Sequence, residues 1–335
     1  MRRWITLGVL VVILALVPLP LSSSYLFGFV VLVGIFAIAA MGVDLVLGYT
    51  GQITLGHAGF MAIGSYTTAV LTVRGVPPVA ALVAACVLTA VIAYLVGAPL
   101  MGVLTHFHVA IATLALGVLV YSFLLVGGDL TGGFTGIQGV PPLSLGGILV
   151  SGDLAYYGVV WVIVLILFVV AKNVGDSQVG RILRAIESDE LAASSSGVSV
   201  ASYKVRVFVL SAVYASIAGS LLAHYMKYIS PSQVDIVNSF DLVTMVVLGG
   251  KGTVLGGILG AAFLKLMPQF TEFFKDYRLL VNGLIILVVL LFFPRGIVGA
   301  VELLAALAAR LIRAVRSGRR QGSAGSLAGG VEEQG

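Results

Sequence analysis

The chain has 335 residues, of which 59% are hydrophobic and 10% charged, and its formal net charge is +5. A soluble domain carries about 25% charged residues, so this composition excludes an ordinary soluble protein and indicates one surrounded by lipid. The apolar segments are continuous rather than alternating, which excludes a β-barrel. We therefore predict a polytopic all-α membrane protein.

Ten apolar segments follow one another along the chain. The first, after Arg2 and Arg3, is either an uncleaved helix, which we favour, or the core of a cleaved signal peptide. The eighth is too short to span a bilayer and is expected to form a broken or re-entrant pair with the ninth, hinged at 249–253. We expect about 8–10 transmembrane or re-entrant helices. The segments are 4–21, 25–47, 57–73, 78–104, 109–127, 156–172, 207–227, 241–250, 254–268 and 279–293.

Basic residues set the predicted orientation. With the N-terminus in the cytoplasm, fourteen of the 19 Lys and Arg residues fall on the inner side, as the positive-inside rule requires. We therefore expect a multi-pass protein with both termini in the cytoplasm. The net positive charge is explained by this topology and does not indicate nucleic-acid binding.

The longest connections divide the chain into parts. Residues 128–155 are rich in Gly and Pro, and this outer loop is either a lid or docking surface or a plain turn-rich connection. Residues 173–206 form the main inner loop. Residues 1–300 are expected to form one membrane domain. Residues 301–335 are expected to form a cytoplasmic tail, with a basic amphipathic helix at about 298–316 and a low-complexity end.

No catalytic or metal-binding constellation is present in the sequence. There is no HExxH, GxSxG or Cys–His cluster, and the single cysteine, Cys86, lies in an apolar run. Gly249–Thr253 superficially resembles a phosphate-binding loop, but Gly252 follows its Lys and Met245 stands where the first Gly is required. We expect no enzyme activity, metal or cofactor in this chain, so an ATPase that drives it must be another chain.

Few ionisable residues lie within the apolar segments. Asp44 is about one turn from the inner end of its segment, and His224, Lys227, Asp241 and Lys265 are expected near outer ends, where interfacial placement is tolerated. A carrier coupled to protons or sodium usually has a mid-membrane carboxylate or charged pair. The sequence therefore disfavours a secondary transporter.

The most informative segment is residues 180–198 of the inner loop. Apolar residues recur there at near-helical spacing with charged residues between them, and Gly197 is predicted to end the helix. Such a helix either inserts into the groove of a partner protein or is a solvated amphipathic linker. Periodicity alone slightly favours the linker.

Several stretches resemble known permeases. Leu191–Gly197 resembles the EAA coupling loop of ABC importer permeases, with Leu191 where that pattern has Glu and Glu190 one position earlier. More specifically, residues 25–300 resemble the LivM-type permeases of branched-chain amino-acid importers. The stretches that carry this likeness are Gly48–Phe60, Gly180–Gly197 with Ala201–Lys204, Ile229–Pro231 with Val246–Thr253, and Phe293–Ile297.

The resemblance implies a fold of the branched-chain amino-acid/ribose ABC permease type in a bacterial inner (plasma) membrane. It implies a transport subunit that pairs with a second, LivH-like permease, with two cytoplasmic subunits that bind ATP and Mg, and with a periplasmic substrate-binding protein. The implied substrate is a branched-chain or other small amino acid. Alternatives are urea, amides or another small solute and, less favoured, ion-coupled transport.

Two sets of candidate residues follow from these stretches. Small residues that permit close docking, and charges that fix its orientation, are expected to couple the inner helix to the ATPases: Arg184, Glu187, Glu190, Ala192, Ala193 and Gly197. Polar residues beside the two Gly-rich breaks, which form a weak internal repeat, are candidates for the translocation pathway: Gln52, Thr54, His57 and Thr253. His57 alternatively caps the helix that follows it.

Overall fold

The computed structural model describes residues 24–103, 106–145, 148–150 and 152–270, and beyond these only residues 280, 283, 284, 287, 291 and 296–299. The predicted segment at 4–21, most of 279–293, the basic helix and the tail lie outside the described residues. The described part forms ten α-helices. They are α1 (Ser24–Thr50), α2 (His57–Val73), α3 (Pro78–Val103), α4 (His106–Val126), α5 (Asp153–Asp176), α6 (Gln178–Ser188), α7 (Glu190–Ser195), α8 (Val200–Met226), α9 (Ile236–Gly249) and α10 (Val254–Phe270).

Five of these helices are long and apolar enough to cross a bilayer by themselves: α1, α3, α4, α5 and α8. The longest have 27 residues, which corresponds to about 40 Å at 1.5 Å per residue and exceeds a hydrocarbon core of about 30 Å. The predicted all-α membrane fold is confirmed. The predicted bounds of the third apolar segment, 57–73, coincide with those of α2.

Helices α1 and α8 form the centre of the bundle. Helix α1 packs against α5, α8 and α10, while α8 also packs against α2 and α3. From Val31 to Val46 nearly every residue of α1 is buried, as expected of a helix that is apolar on all sides. Helices α3 and α4 instead expose apolar side chains along their outer faces, where they would meet lipid or another membrane chain.

Small residues allow the central helices to approach closely. Gly64 of α2 lies against the backbone of Ser216 in α8, and Gly219 of α8 lies against the backbone carbonyl of Met61. A methyl group at either glycine would overlap main-chain atoms of the other helix. Without water to drive apolar association, such close packing is a main source of helix–helix stability in lipid.

Hydroxyl groups join the same helices within the bundle. Thr68 of α2 and Ser220 of α8 form a hydrogen bond of 2.7 Å, and Thr89 of α3 donates to Ser216 of α8 over 3.0 Å. All four side chains are buried. Because hydroxyl groups need partners in an apolar interior, these bonds fix the register of α2, α3 and α8.

The loop between α4 and α5 is fastened to the bundle by short strands. Strand β1 (Ile137–Gln138) pairs antiparallel with β4 (Tyr228–Ile229), which directly follows α8, and β2 (Ser144–Leu145) pairs with β3 (Ile148–Leu149). The loop therefore lies over the end of α8. Its predicted role as a lid or docking surface stays a prediction.

Helices α9 and α10 form the predicted broken pair. The chain bends by 117° between them, at residues 250–253. This break lies at the same end of the bundle as the last turn of α1 and helices α6 and α7. We call this the inner end, after the orientation that the positive-inside rule predicts.

Candidate functional site

The first interruption is the non-helical segment 51–56 between α1 and α2. Non-helical backbone at membrane depth persists only where its polar groups find partners within the protein. The amide of Leu55 donates to the Thr113 hydroxyl over 3.0 Å, and the amide of Ala58 donates to the Ser239 hydroxyl over 3.0 Å. Side chains of α4 and α9 thus support this segment, which we call the first break, and the first turn of α2 that follows it.

The pathway candidates of the first break lie inside the protein. Gln52, Thr54 and His57 are all buried, and the His57 ring contacts the hydroxyls of Thr54, at 3.2 Å, and of Ser211 in α8. The cap position of α2 is occupied by Gly56, and no side chain there bonds to the first amides of the helix. The expectation that His57 caps this helix is therefore wrong. His57 instead joins the first break to α8. Lining of the pathway by these residues stays a prediction.

The second break, residues 250–253, lies against the last turns of α1. The amide of Gly252 donates to Oδ1 of the buried Asp44 over 2.7 Å, and Gly48 lies against the backbone of Gly252 with no room for a side chain. Thr253 is half-buried, and its hydroxyl donates to the carbonyl of Gly250 over 2.7 Å. The second break is therefore stabilised by a hydrogen bond within it and by contacts with α1.

A third glycine, besides Gly48 and Gly252, also lies against the second break. Gly296, at a φ of +69°, lies against the backbone of Gly250 and the carbonyl of Leu248. A positive φ and such close contact are both properties that glycine tolerates best. Of the stretches that carry the resemblance, those around Gly48, Gly250 and Gly296 therefore meet at one point at the inner end.

The amphipathic helix α6 lies beside this point. It buries Leu183 and Ile186 and exposes Arg184 and Glu187. The Arg184 guanidinium donates to the carbonyl of Gly175 over 2.7 Å and lies 5.6 Å from the centre of the Tyr49 ring in the last turn of α1. Arg184 thereby positions α6 on the ends of α1 and α5.

An ion pair joins α6 to the second break. Glu187 Oε1 is 3.1 Å from Lys251 Nζ, and these side chains are 30% and 60% exposed. The Glu187 side chain also lies close to Gly51 at the start of the first break. Glu187 is therefore the coupling candidate that contacts both breaks, although so exposed an ion pair contributes little to stability.

A more buried ion pair joins α7 to α8. Lys204 Nζ is 2.7 Å from Glu190 Oε2, and the lysine side chain is 2% exposed while the glutamate side chain is 42% exposed. Lys204 lies in the first turns of α8, the central helix of the bundle. Displacement of α7 would therefore act directly on α8.

The ends of α7 are set by local hydrogen bonds. The Asp189 carboxylate caps its start and accepts from the amides of Leu191 and Ala192 over 2.9 and 3.0 Å. At its end Gly197 has a φ of +83°, and the amides of Gly197 and Val198 donate to the carbonyls of Ser194 and Ala193. This is the Schellman arrangement, so the prediction that Gly197 ends the helix is confirmed.

The coupling candidates on α7 face in different directions. Leu191 is 80% exposed and Ala192 is exposed, whereas Ala193 is 6% exposed and packs inward. Leu191 and Ala192 are thus available to a partner, and Ala193 is covered by the chain itself. An exposed leucine beside small residues is the composition expected of a docking surface.

The sequence did not predict the supporting contacts made by five polar residues: Asp44, Thr113, Lys204, Ser211 and Ser239. Each is a polar residue within or at the start of an apolar helix, and each bonds to a break, to the first turn of α2 or to α7. A polar side chain is costly in lipid, so its presence in an apolar helix predicts that it has a hydrogen-bonding partner. It does not identify that partner. Four of these five bonds join residues 58 to 208 positions apart, and such partners cannot be read from spacing.

Comparisons with known proteins agree with this architecture. Residues 25–290 match the family model described as the branched-chain amino acid transport system permease component. The high-affinity branched-chain amino acid transport system permease protein LivM of Salmonella typhimurium is 30% identical over 288 residues, covering 78% of this chain and 67% of LivM. LivM of Escherichia coli strain K12 has the same identity and coverage.

More distant relatives are also permeases. LivH of Salmonella typhimurium is 25% identical over 299 residues, covering 83% of this chain and 95% of LivH. The ribose import permease protein RbsC of Haemophilus influenzae is 27% identical over 141 residues, covering 39% of this chain and 43% of RbsC. No solved structure matches the chain. The family match spans both breaks and helices α6 to α8, and this multi-pass membrane chain belongs to the branched-chain amino acid transport system permease family.

Proposed function

We propose that this chain is one of two permease subunits of an ATP-driven importer of branched-chain or other small amino acids. The observation that carries this proposal is the position of α6 and α7. They expose Leu191 and Ala192 at the inner end and are joined by ion pairs to the second break and to α8. A force applied to this surface reaches the interrupted helices and the centre of the bundle together.

The energy for the cycle comes from outside the chain. Two cytoplasmic ATPase subunits bind ATP and Mg and dock on α6 and α7, while a second, LivH-like permease completes the translocation path. A periplasmic binding protein delivers substrate to the opposite end, and both termini of this chain lie in the cytoplasm. When the ATPases close, they displace α6 and α7 and shift the bundle between outward- and inward-facing states.

Reconstituted uptake tests the proposal. The complex with its second permease and ATPases is placed in liposomes, with ATP inside and loaded binding protein outside, and uptake of labelled leucine is measured. Uptake should require both ATP and the binding protein and should not respond to a pH gradient. Uptake driven by a pH gradient without ATPases would contradict the proposal, and a panel of urea, amides and amino acids would identify the solute.

Substitutions on α7 test the coupling surface. Leu191→Asp should lower uptake and binding-protein-stimulated ATP hydrolysis together, because a charge replaces the exposed apolar group that docks on the ATPase. Its melting temperature should match the wild type, since the side chain is 80% exposed. Gly197→Trp should uncouple ATP hydrolysis from uptake. Unchanged uptake by both variants would remove α7 from the mechanism.

A further inference from the structure

Helix α8 runs without interruption from one end of the bundle to the other. Its 27 residues include no proline, and its buried side chains extend from Lys204 to His224. These two residues are separated by about 30 Å along the helix axis, at 1.5 Å per residue. Contacts made at the two ends of α8 are therefore joined by one continuous element.

The inner end of α8 is held by helix α7 of the coupling surface. The ion pair of 2.7 Å between Lys204 and Glu190 joins the two helices, and the lysine side chain is 2% exposed. In the chain, only residues 196–199 separate α7 from α8. A displacement of α7 therefore either breaks this ion pair or moves the start of α8.

The opposite end of α8 is fastened to the loop between α4 and α5. Nδ1 of the buried His224 donates to the carbonyl of Pro141 over 2.8 Å. The amide of Val140 donates to the carbonyl of Lys227 over 3.1 Å. Strand β4, which directly follows α8, pairs with β1 of the same loop. Loop residues 137–141 are therefore attached to the end of α8 by a side chain, by the main chain and by strand pairing.

Close packing between its two ends leaves α8 little freedom to absorb a displacement. Gly219 of α8 lies against the carbonyl of Met61 in α2. The hydroxyl of Tyr156 in α5 donates to the carbonyl of Leu221 in α8 over 2.6 Å. Because close-packed interiors transmit strain, a force on the start of α8 moves this helix and the helices locked to it as one body.

We propose that α8 links the coupling surface to the loop between α4 and α5, so that the loop changes its position with the nucleotide state of the ATPases. Lys204 and His224 are positioning residues that fasten the two ends of α8. This link differs from the ion pair of Glu187 with Lys251, which joins α6 to the second break. The inference rests on the proposed function, because it takes the ATPases to act through α7.

Amide hydrogen exchange in the complete importer, reconstituted in nanodiscs, tests the link. Exchange of peptides covering 132–141 is compared with and without a non-hydrolysable ATP analogue, and exchange of the ATPase subunits verifies that the analogue is bound. The analogue should change loop exchange by about threefold or more in the wild type, and Glu190→Ala should abolish this response. Glu187→Ala leaves Lys204 paired and, as the matched control, should retain it. An unresponsive wild-type loop, or equal responses in the two glutamate variants, would overturn the link.

Substitutions of His224 test the other end of α8 without touching the coupling surface. His224→Leu removes the bond to Pro141 and should abolish the response of the loop to the analogue. His224→Asn, whose amide nitrogen takes the place of Nδ1 as donor, should restore the response. A wild-type response in His224→Leu would overturn the positioning role of His224.

Leucine uptake by the wild type separates this inference from the proposed function. If uptake requires ATP while the loop is indifferent to the analogue, only the link through α8 is wrong. If uptake proceeds without ATP, the proposed function itself is wrong.

Discussion

Replacing Glu190 should loosen α7 from the bundle. Glu190→Ala leaves the ammonium of Lys204, which is 2% exposed, without its counter-charge 2.7 Å away. Breaking a buried pair costs about 3–5 kcal/mol, but the glutamate is 42% exposed and water offsets part of that cost, so we expect about 2 kcal/mol. This corresponds to about a 30-fold increase in local opening of α7.

Amide hydrogen exchange of α7 in the purified complex measures this opening. Glu187→Ala is the matched control, because its partner Lys251 is 60% exposed, and it should change exchange by less than about threefold. Adding Lys204→Met to Glu190→Ala should return exchange to about the wild-type rate, since a charge that is absent needs no partner. Equal effects of the two glutamate substitutions, or no recovery in the double variant, would refute the reasoning.

Two further predictions concern the packing of α2 against α8. Gly219→Ala should lower the melting temperature of the complex, because a methyl group there overlaps the carbonyl of Met61, whereas Gly158→Ala meets no atom within 4 Å and should be neutral or stabilising by up to about 1 kcal/mol. Ser211→Ala should cost about 1–3 kcal/mol, because it leaves a ring nitrogen of the buried His57 without its hydroxyl partner. Lost uptake with an unchanged melting temperature would instead place His57 in the pathway.

The sequence predicted the elements of the fold well because each is marked locally. Long apolar runs give helices, and the hinge at 249–253 follows from an apolar segment too short to span. The end of α7 at Gly197 follows from the conformational freedom of glycine. These features depend on neighbouring residues, which is why pattern alone suffices for them.

The arrangement of the site depends on contacts that no local pattern contains. From the sequence, Asp44 is interpreted as an interfacial residue, but in the structure it accepts a hydrogen bond from the amide of Gly252. His57 is interpreted as a helix cap, but in the structure its ring contacts the hydroxyl of Ser211. Partners that are distant in the chain therefore decide the roles of these residues.

The shortness of α9 has a consequence for assembly in the membrane. Its 14 residues span about 21 Å, which is less than the thickness of the hydrocarbon core, and they include the charged Asp241. The hydrophobicity of α9 alone therefore favours its insertion into a bilayer only weakly. What holds the pair α9–α10 in place are bonds to earlier helices, from Ala58 to Ser239 and from Gly252 to Asp44. We therefore expect the pair α9–α10 to be stable in the membrane only once α1 and α2 are in place.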